Sequence, residues 1–316
     1  MGKRQEKFGG KAMTHRCVKI LSPAKINLFL EIVGKRQDGF HEIKTVFQCV
    51  NLCDILTVRP KPHGITLLSN AEDLPLDGRN LAHKAAQLFL SENKIKSGVE
   101  IRMLKRIPVS GGLGGGSSNA ACTLLAMDKL FGTRCGMQKL LKWAQKLGSD
   151  VPFFLRGVPS LAMGRGTELV PLKSYVPFWI VLAGPKDFHL KNKTAEVYRA
   201  LNMGLTTAGV PVTITLAAIE TKSVNALSKS LFNRLENVVL EKFSFARKIR
   251  RFMKSHGAGG VLVSGAGPTV FGIVSGRAHG VKLEKALMRK FGERVHTKVT
   301  RTLARTPAPV FSQWVR

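Results

Sequence analysis

The 316-residue chain has few acidic residues: 20 Asp and Glu stand against 50 Lys and Arg, so the formal net charge is +30. A protein with such an excess attracts polyanions, which include phosphorylated metabolites, nucleic acids and anionic membrane surfaces. Long apolar runs are also lacking. The most apolar stretch covers only residues 176–183, whereas a membrane-spanning helix needs roughly 18 residues. The sequence therefore predicts no membrane span and no membrane partner.

Cysteines are sparse and odd in number: Cys17, Cys49, Cys53, Cys122 and Cys135. This usage is typical of a reducing compartment rather than of a disulfide framework. The basic N-terminus has neither the apolar core nor the cleavage site of a secretory signal, and its lack of serine argues against an organelle-targeting leader. We therefore expect a cytoplasmic protein. No second Cys/His pair accompanies Cys49 and Cys53 at zinc spacing, so the pattern favours buried thiols over a metal pair.

Apolar residues make up 44% of the chain, which excludes wholesale disorder. Short or alternating apolar runs predict strands at 18–21, 26–33, 43–50, 55–58, 99–106, 158–163 and 178–182, and a strand pair within 260–274. Helical spacing predicts helices at 80–90, before Gly132, and at 137–147, 194–201, 240–255 and 279–291. Without regular alternation, this mixture predicts an α+β fold in two lobes. A linker near 173–177 divides the chain into domains 1–172 and 173–316.

The strongest chemical signal is the segment 108–119, PVSGGLGGGSSN, which has five glycines within six residues before a predicted helix. Glycine backbones adopt left-handed angles and approach ligands closely. Their N–H groups can therefore converge on an anion beside the positive end of the helix, as a di- or triphosphate requires. A flexible turn followed by a cap at Ser117 or Ser118 is the simpler alternative. The segment fits neither Walker A nor the dinucleotide fingerprint.

A second signal is Asp150 in the segment 148–153, GSDVPF, just after a predicted helix. A carboxylate at a negative helix end is unfavourable unless a cation compensates or function requires it. Such a group could accept the proton of a substrate hydroxyl, as phosphoryl transfer to an alcohol requires. An ordinary turn aspartate is the alternative interpretation.

Three further segments carry weaker signals. Lys25 and Asn27 share one face of a predicted strand, where an inward lysine could orient a carboxylate and stabilise its charge, or could lie exposed at an edge. Phe40-His41 could hold a nucleobase, or could be ordinary loop residues. The segment 263–271, VSGAGPTVF, places Gly265 and Gly267 between two strands. That loop could close over a phosphate or only turn a hairpin.

Taken together, the motifs resemble those of the GHMP small-molecule kinases. PVSGGLGGGSSNAA resembles their phosphate-binding motif, and SPAKINLFL and VSGAGPTVFG resemble their first and third motifs. The resemblance spans roughly residues 19–274. DGFHEI, LGSDVPFFL and LFNRLE are most similar to the branch whose acceptor carries a cytidine diphosphate and which serves non-mevalonate isoprenoid synthesis. The resemblance implies a ribosomal-S5-like N-terminal lobe, a ferredoxin-like C-terminal lobe, and ATP- and Mg²⁺-dependent phosphorylation of a small-molecule hydroxyl between them.

The resemblance also assigns roles to residues. Asp150 would be the catalytic base and Lys25 its partner, while Phe40 and His41 would sandwich and read the cytosine. The cofactor-binding residues would be Lys105, near the adenine or ribose, and Pro108, Gly111, Gly112, Leu113, Gly114, Gly115, Gly116, Ser117 and Ser118. The substrate-binding residues would be Asn27, Phe40, His41, Gly265 and Gly267. The metal ligands stay undefined, and no oligomer is required.

Four positions depart from the family pattern: Ser110 for glycine, Thr167 with Glu168 one place late, Arg234 for aspartate, and Ala266 for serine or threonine. Two other functions stay open. One is a GHMP kinase that acts on homoserine, mevalonate or phosphomevalonate, for which Phe40-His41 would be unnecessary. The other is a nucleic-acid-binding protein, favoured by the charge of +30 but opposed by an aromatic content of only 7%.

Overall fold

The computed structural model describes residues 16–186, 193–201 and 211–313. Its strands are β1 Arg16–Lys35, β2 His41–Lys61, β3 Ile65–Ser69, β4 Gly98–Leu104, β5 Ser160–Met163, β6 Glu168–Pro171, β7 Trp179–Pro185, β8 Phe232–Asn233, β9 Gly259–Val263, β10 Val270–Val274, β11 Val295–Arg301 and β12 Val310–Gln313. Its helices are α1 Leu81–Glu92, α2 Gly115–Phe131, α3 Met137–Leu147, α4 Val151–Arg156, α5 Lys193–Arg199, α6 Val212–Glu220, α7 Val224–Ser230, α8 Glu236–Lys242, α9 Ser244–Ser255 and α10 Arg277–Phe291.

The strands form two sheets. The first has eight strands, with the path β12-β1-β2-β4-β3, and with β5, β6 and β8 attached beside it. The second has four antiparallel strands in the order β11-β7-β10-β9. The two lobes and the α+β class are therefore as predicted. Among the described residues, no helix is long and apolar enough to cross a membrane.

The first two strands are longer than predicted, because β1 and β2 form one continuous antiparallel hairpin. The sequence suggested four short strands, since polar residues interrupt the apolar pattern near Ser22 and Asp54. Irregularities of register absorb these interruptions, one of them between Pro23 and Ala24. A β-bulge lets pairing continue while it re-aims the neighbouring side chains. The hairpin thus carries buried polar groups without ending.

Three apolar clusters hold these layers together. In the first, Phe89, Met127 and Trp143 pack helices α1, α2 and α3 against the first sheet. In the second, Ile249 and Leu287 pack helices α9 and α10 with the smaller sheet. A third cluster combines residues of both sheets, among them Ile26, Leu28, Phe178 and Phe271. The two lobes therefore share a packed core, which fixes the walls of the cleft between them.

The helix predicted at 240–255 is instead two helices, α8 and α9. The backbone at Phe243 has φ −119° and ψ 78°, which is not helical, so the chain turns there. Apolar periodicity cannot reveal such a break, because both helices present apolar faces to the same cluster. Cys49 and Cys53 are buried, as the sequence predicted, and burial raises the pKa of Cys53 to about 11.

Candidate active site

A cleft of about 1070 Å³ lies between strand β1, the glycine-rich loop, helix α5 and the loop between β9 and β10. It collects most of the residues that the sequence singled out: Lys25, Asn27, Phe40, His41, Lys105, Pro108, Gly111, Gly112, Leu113, Gly114, Gly115, Gly116, Ser117, Asp150 and Gly265. Ser118 and Gly267 lie behind its wall. The buried Ser118 hydroxyl accepts a hydrogen bond from Ser22 at 2.7 Å, and the Gly267 carbonyl accepts one from Lys193.

The glycine-rich loop leads directly into helix α2, whose N-terminal cap is Gly114 in the left-handed region at φ 71°. The alternative of a serine cap at position 117 or 118 is therefore wrong. Gly112 is also left-handed, at φ 81°, and a Cβ there would lie 2.4 Å from the carbonyl oxygen of Ser264. The loop needs glycine at these positions for both conformation and space. A glycine-rich loop whose amides precede the first turn of a 17-residue helix is an arrangement that can bind an anion.

Lys25 and Asp150, which are far apart in sequence, meet in this cleft with Nζ and Oδ2 3.4 Å apart. Lys25 is buried and also donates a hydrogen bond to Asn27 Oδ1 at 2.8 Å. Asn27 Nδ2 donates to Thr45 Oγ1 at 2.7 Å, and Thr45 donates to the carbonyl of Phe29. This chain of hydrogen bonds fixes the lysine beside the carboxylate. Ile26 and Leu28 pack into the core on the other face, as predicted.

The surroundings of Asp150 differ from the sequence expectation in one respect. Helix α3 ends at Leu147, but the short helix α4 begins at Val151, so Asp150 directly precedes a second helix. Asp150 therefore lies just past a helix C-terminus, as predicted, with Lys25 as the compensating cation, and the sequence analysis missed only the helix that follows. The sequence analysis did not predict α4, because a helix of only six residues shows too little apolar periodicity. Pro152 in its first turn is nevertheless a typical signal of a helix start.

Three aromatic side chains, Phe40, His41 and Tyr198, line one part of the cleft, which we call its mouth. His41 and Tyr198 lie with ring centroids 5.0 Å apart, and the half-exposed Phe40 ring has the guanidinium of Arg165 over it at 3.4 Å. Burial, and then the charge of Lys35, lowers the pKa of His41, which favours the neutral imidazole, a form that can both donate and accept a hydrogen bond. Burial, and then the charge of Asp150, raises the pKa of Tyr198. The sequence analysis missed Tyr198, although it is one of only two tyrosines.

Lys105 lines the cleft, but its ammonium group is held by Asp54, a fully buried carboxylate that the sequence analysis missed. Lys105 Nζ also donates to Asn119 Oδ1 at 2.9 Å. The other Asp54 oxygen accepts the N–H groups of Arg106 at 2.7 Å and Ile107 at 2.9 Å. Asp54 therefore anchors the segment that leads into the glycine-rich loop. Its only sequence signal was one acidic residue within an apolar strand.

Lys193 is a third missed residue, which is buried at the start of α5 and lines the cleft. Its ammonium group donates to the carbonyl of Ser110 at 2.6 Å and to that of Gly267. Burial, followed by repulsion from Lys25, lowers the pKa of Lys193 to about 7. No sequence signal distinguishes this lysine among the 50 basic residues.

The departures from the family pattern have distinct settings. Ser110 adopts a left-handed φ of 57°, which explains why glycine suits this position. Arg234 forms a hydrogen-bonded ion pair with Glu31 at 2.6 Å, so its charge is balanced. Ala266 lines the cleft, whereas Glu168 is exposed on β6 and does not line it. Among the described residues, no group of three or more His, Cys, Asp or Glu side chains is arranged to hold a metal ion.

Comparison with known proteins identifies the family of the chain and its fold. The chain matches the family described as "GHMP kinases N terminal domain" over residues 80–158 and "GHMP kinases C terminal" over 215–294. The fold is also that of a homoserine kinase from Cytophaga hutchinsonii, at 18% identity and a TM-score of 0.72 over 97% of this chain and 99% of that one. The two lobes and the glycine-rich loop therefore define a GHMP kinase.

More similar relatives narrow this class. The chain is 40% identical over 281 residues to the 4-diphosphocytidyl-2-C-methyl-D-erythritol kinase of Synechococcus sp. (strain JA-2-3B'a(2-13)), with 86% of this chain and 90% of the relative covered. It is 42% identical to that of Geobacillus kaustophilus over 258 residues, covering 81% and 87%. A crystal structure of 4-(cytidine 5'-diphospho)-2C-methyl-D-erythritol kinase matches with 35% identity and a TM-score of 0.74, covering 90% and 99%. The chain belongs to this family of GHMP kinases.

Proposed function

We propose that the chain transfers the γ-phosphate of ATP to the 2-hydroxyl of 4-diphosphocytidyl-2-C-methyl-D-erythritol, in the non-mevalonate synthesis of isoprenoid precursors. The observation that carries the proposal is the pairing of Asp150 with Lys25 at 3.4 Å in the cleft that holds the glycine-rich loop. One end of this cleft suits phosphates and the other suits an aromatic base. The sparse, odd number of cysteines supports a cytoplasmic location.

Asp150 acts as the general base in this proposal. A substrate hydroxyl is too weakly acidic to attack unaided, so the carboxylate accepts its proton as the bond to phosphorus forms. Lys25 balances the carboxylate charge and orients it, and Asn27 and Thr45 hold Lys25 in turn. Because Asp150 is about one-third exposed and Lys25 is buried, the pair presents its carboxylate side to the cleft.

The ATP phosphates lie on the glycine-rich loop. Backbone N–H groups of residues 111–116 and the positive end of α2 stabilise their charge, with Pro108 and Leu113 shaping the loop. Lys105 lies near the adenine or ribose. Mg²⁺ fits this arrangement, since it is usually bound by one or two protein oxygens together with substrate phosphates. The Ser117 hydroxyl, which lines the cleft at the start of α2, is the oxygen that would hold it. When bound, it would neutralise charge on the transferring phosphoryl group.

The cytidine end of the acceptor occupies the aromatic mouth. Phe40 and Tyr198 supply ring faces, and the neutral His41 imidazole supplies one donor and one acceptor for the edge of the base. Asn27 and Gly265, which both line the cleft, face the phosphates or hydroxyls, and Gly267 shapes the same loop from behind. An acceptor without a base, such as homoserine or mevalonate, would leave this mouth unused, which favours the cytidine acceptor.

An ATP-consumption assay tests the proposal. Purified protein is given ATP and Mg²⁺ with the cytidine diphosphate acceptor, homoserine or mevalonate, and phosphorylated product is followed by mass spectrometry. We expect turnover with the cytidine acceptor alone. Turnover with homoserine or mevalonate and not with the cytidine compound would contradict the acceptor assignment. A salt titration of random-sequence RNA binding tests the nucleic-acid alternative, which requires tight and steeply salt-dependent binding.

A further inference from the structure

Lys193 carries an inference about the contact between the two glycine-containing loops. Its ammonium group donates to the carbonyl of Ser110, in the glycine-rich loop, and to that of Gly267, in the loop between β9 and β10. The first loop belongs to the lobe of the eight-stranded sheet, and the second connects two strands of the smaller sheet. Lys193 thus joins the two lobes through the loops that line the phosphate end of the cleft.

Other hydrogen bonds close the same contact. Ser264 Oγ donates to the carbonyl of Gly112 at 3.1 Å, and the N–H of Thr269 donates to the carbonyl of Gly111 at 3.2 Å. These are bonds between neutral groups, whereas Lys193 brings an ionisable group. Hydrogen bonds to charged groups are about twice as strong as bonds between neutral ones. The protonation of Lys193 therefore changes the strength with which the two loops are held together.

The charges around Lys193 show what its ammonium group faces. Lys25 repels it, and both lysines line the cleft beside the glycine-rich loop. Asp150 is paired with Lys25, and the other ionisable side chains that line the cleft are Lys35, His41, Lys105, Arg165, Tyr198 and Arg199. Two neighbouring ammonium groups with one carboxylate leave an excess of positive charge. A bound polyphosphate would balance that excess and favour the protonated form of Lys193.

We propose that Lys193 is a positioning residue for phosphoryl transfer: its ammonium group clamps the glycine-rich loop onto the β9–β10 loop, and nucleotide binding holds it protonated. The proposal rests on the proposed function only in that ATP phosphates bind this loop. It makes nucleotide binding a proton-uptake event in which Lys193 takes up a proton from solvent.

The test compares wild type with Lys193→Met, Lys193→Arg and the control Lys285→Met, which removes the same charge from an exposed position on α10. Calorimetric titration with ATP and Mg²⁺ in two buffers of different ionisation enthalpy gives the protons taken up per nucleotide. At pH 7, a group with a pKa of about 7 is half protonated. We expect wild type and Lys285→Met to take up about half a proton more than Lys193→Met, because binding completes that protonation. Equal uptake in wild type and Lys193→Met would overturn the proposal.

Kinetics supply a second readout. We expect Lys193→Met to raise KM for ATP about tenfold or more, because a charged hydrogen-bond donor is lost, while KM for the acceptor stays within twofold. In wild type, KM for ATP should rise between pH 7 and pH 9 as Lys193 loses its proton. Lys193→Arg should remove that rise, because a guanidinium stays protonated throughout. Every variant keeps the other ionisable side chains of the cleft, so the difference isolates position 193.

The outcomes separate this proposal from the proposed function. If no acceptor is phosphorylated but the uptake difference at position 193 is present, the assigned reaction is wrong and the clamp stands. If the cytidine acceptor is phosphorylated and Lys193→Arg shows the same pH-dependent rise as wild type, the reaction stands and the clamp is refuted. If circular dichroism shows that Lys193→Met does not fold, the pH dependence of KM for ATP in Lys193→Arg tests the proposal by itself.

Discussion

Replacing Asp150 by Asn tests the base assignment most directly. The amide keeps the shape of the side chain but cannot accept the hydroxyl proton as a carboxylate does. It also removes the partner of the buried Lys25 ammonium, which keeps its hydrogen bond to Asn27 at 2.8 Å. Since that bond is retained, we expect the variant to fold and the loss to fall on chemistry.

The size of the loss follows from general acid–base catalysis. A positioned base contributes about 10²- to 10⁴-fold to the rate, which corresponds to about 2.7–5.5 kcal/mol of transition-state stabilisation. We therefore expect kcat of Asp150→Asn to fall at least a hundredfold. The Kd for ATP should stay within about threefold, because the glycine-rich loop binds the phosphates through its backbone.

Two measurements are needed: single-turnover phosphorylation of the acceptor and equilibrium binding of ATP. Glu72→Gln is a matched control, since it neutralises an exposed carboxylate outside the cleft. If Asp150→Asn kept kcat within threefold of wild type, Asp150 would not be the base. If it lost ATP binding in proportion to its activity, the carboxylate would instead serve the nucleotide.

The remaining predictions concern the base pocket, the glycine-rich loop and pH. His41→Ala should raise KM for the cytidine acceptor about tenfold or more by removing base-edge hydrogen bonds, and an effect on KM for ATP instead would contradict the pocket. Gly112→Ala should lower the free energy of unfolding by more than about 2 kcal/mol, since strain and a clash with Ser264 add; Gly132→Ala, which has the same left-handed backbone and open space, should cost only about 1 kcal/mol. Thermal and urea unfolding measure the free energy of unfolding of both glycine variants. Because the pKa of Lys193 falls from 10.5 unfolded to about 7 folded, the unfolded chain binds more protons between these values, so ligand-free wild type should gain stability relative to Lys193→Met as pH rises from 7 to 10. If the difference in the free energy of unfolding between wild type and Lys193→Met, measured in urea, stayed constant from pH 7 to pH 10, this prediction would be refuted.

The parts that could be predicted from sequence are those with local signals. Helix α3 matches its predicted bounds of 137–147 because apolar spacing and a closing Gly148 mark both periodicity and end. The glycine-rich loop and Asp150 were found because their chemistry is concentrated in a few consecutive residues. The division into domains 1–172 and 173–316 stays a prediction, as do the individual site assignments.

The missed residues have no local signal. Asp54 and Lys105 are 51 positions apart and become partners only when β2 and the end of β4 align. Lys193 resembles any other lysine of a basic chain until it is buried between two carbonyls. Tyr198, in α5, and His41, at the start of β2, are 157 positions apart and become neighbours only in the folded chain, with ring centroids 5.0 Å apart. Their roles arise from tertiary contacts, which periodicity and composition cannot register.

The last described strand, β12, pairs with β1 at the edge of the first sheet, and Leu303 donates its N–H to the carbonyl of Cys49 in β2. A fragment that stops at residue 172 would lose β8 and β12 and keep only six of the eight strands. Its β1 would then present unpaired backbone groups, a template for self-association. Residues 302–313 thus hold β1 and β2 of the first lobe in place through backbone hydrogen bonds. Attempts to produce that lobe by itself, or to split the enzyme into complementing halves, should carry residues 302–313 along with it.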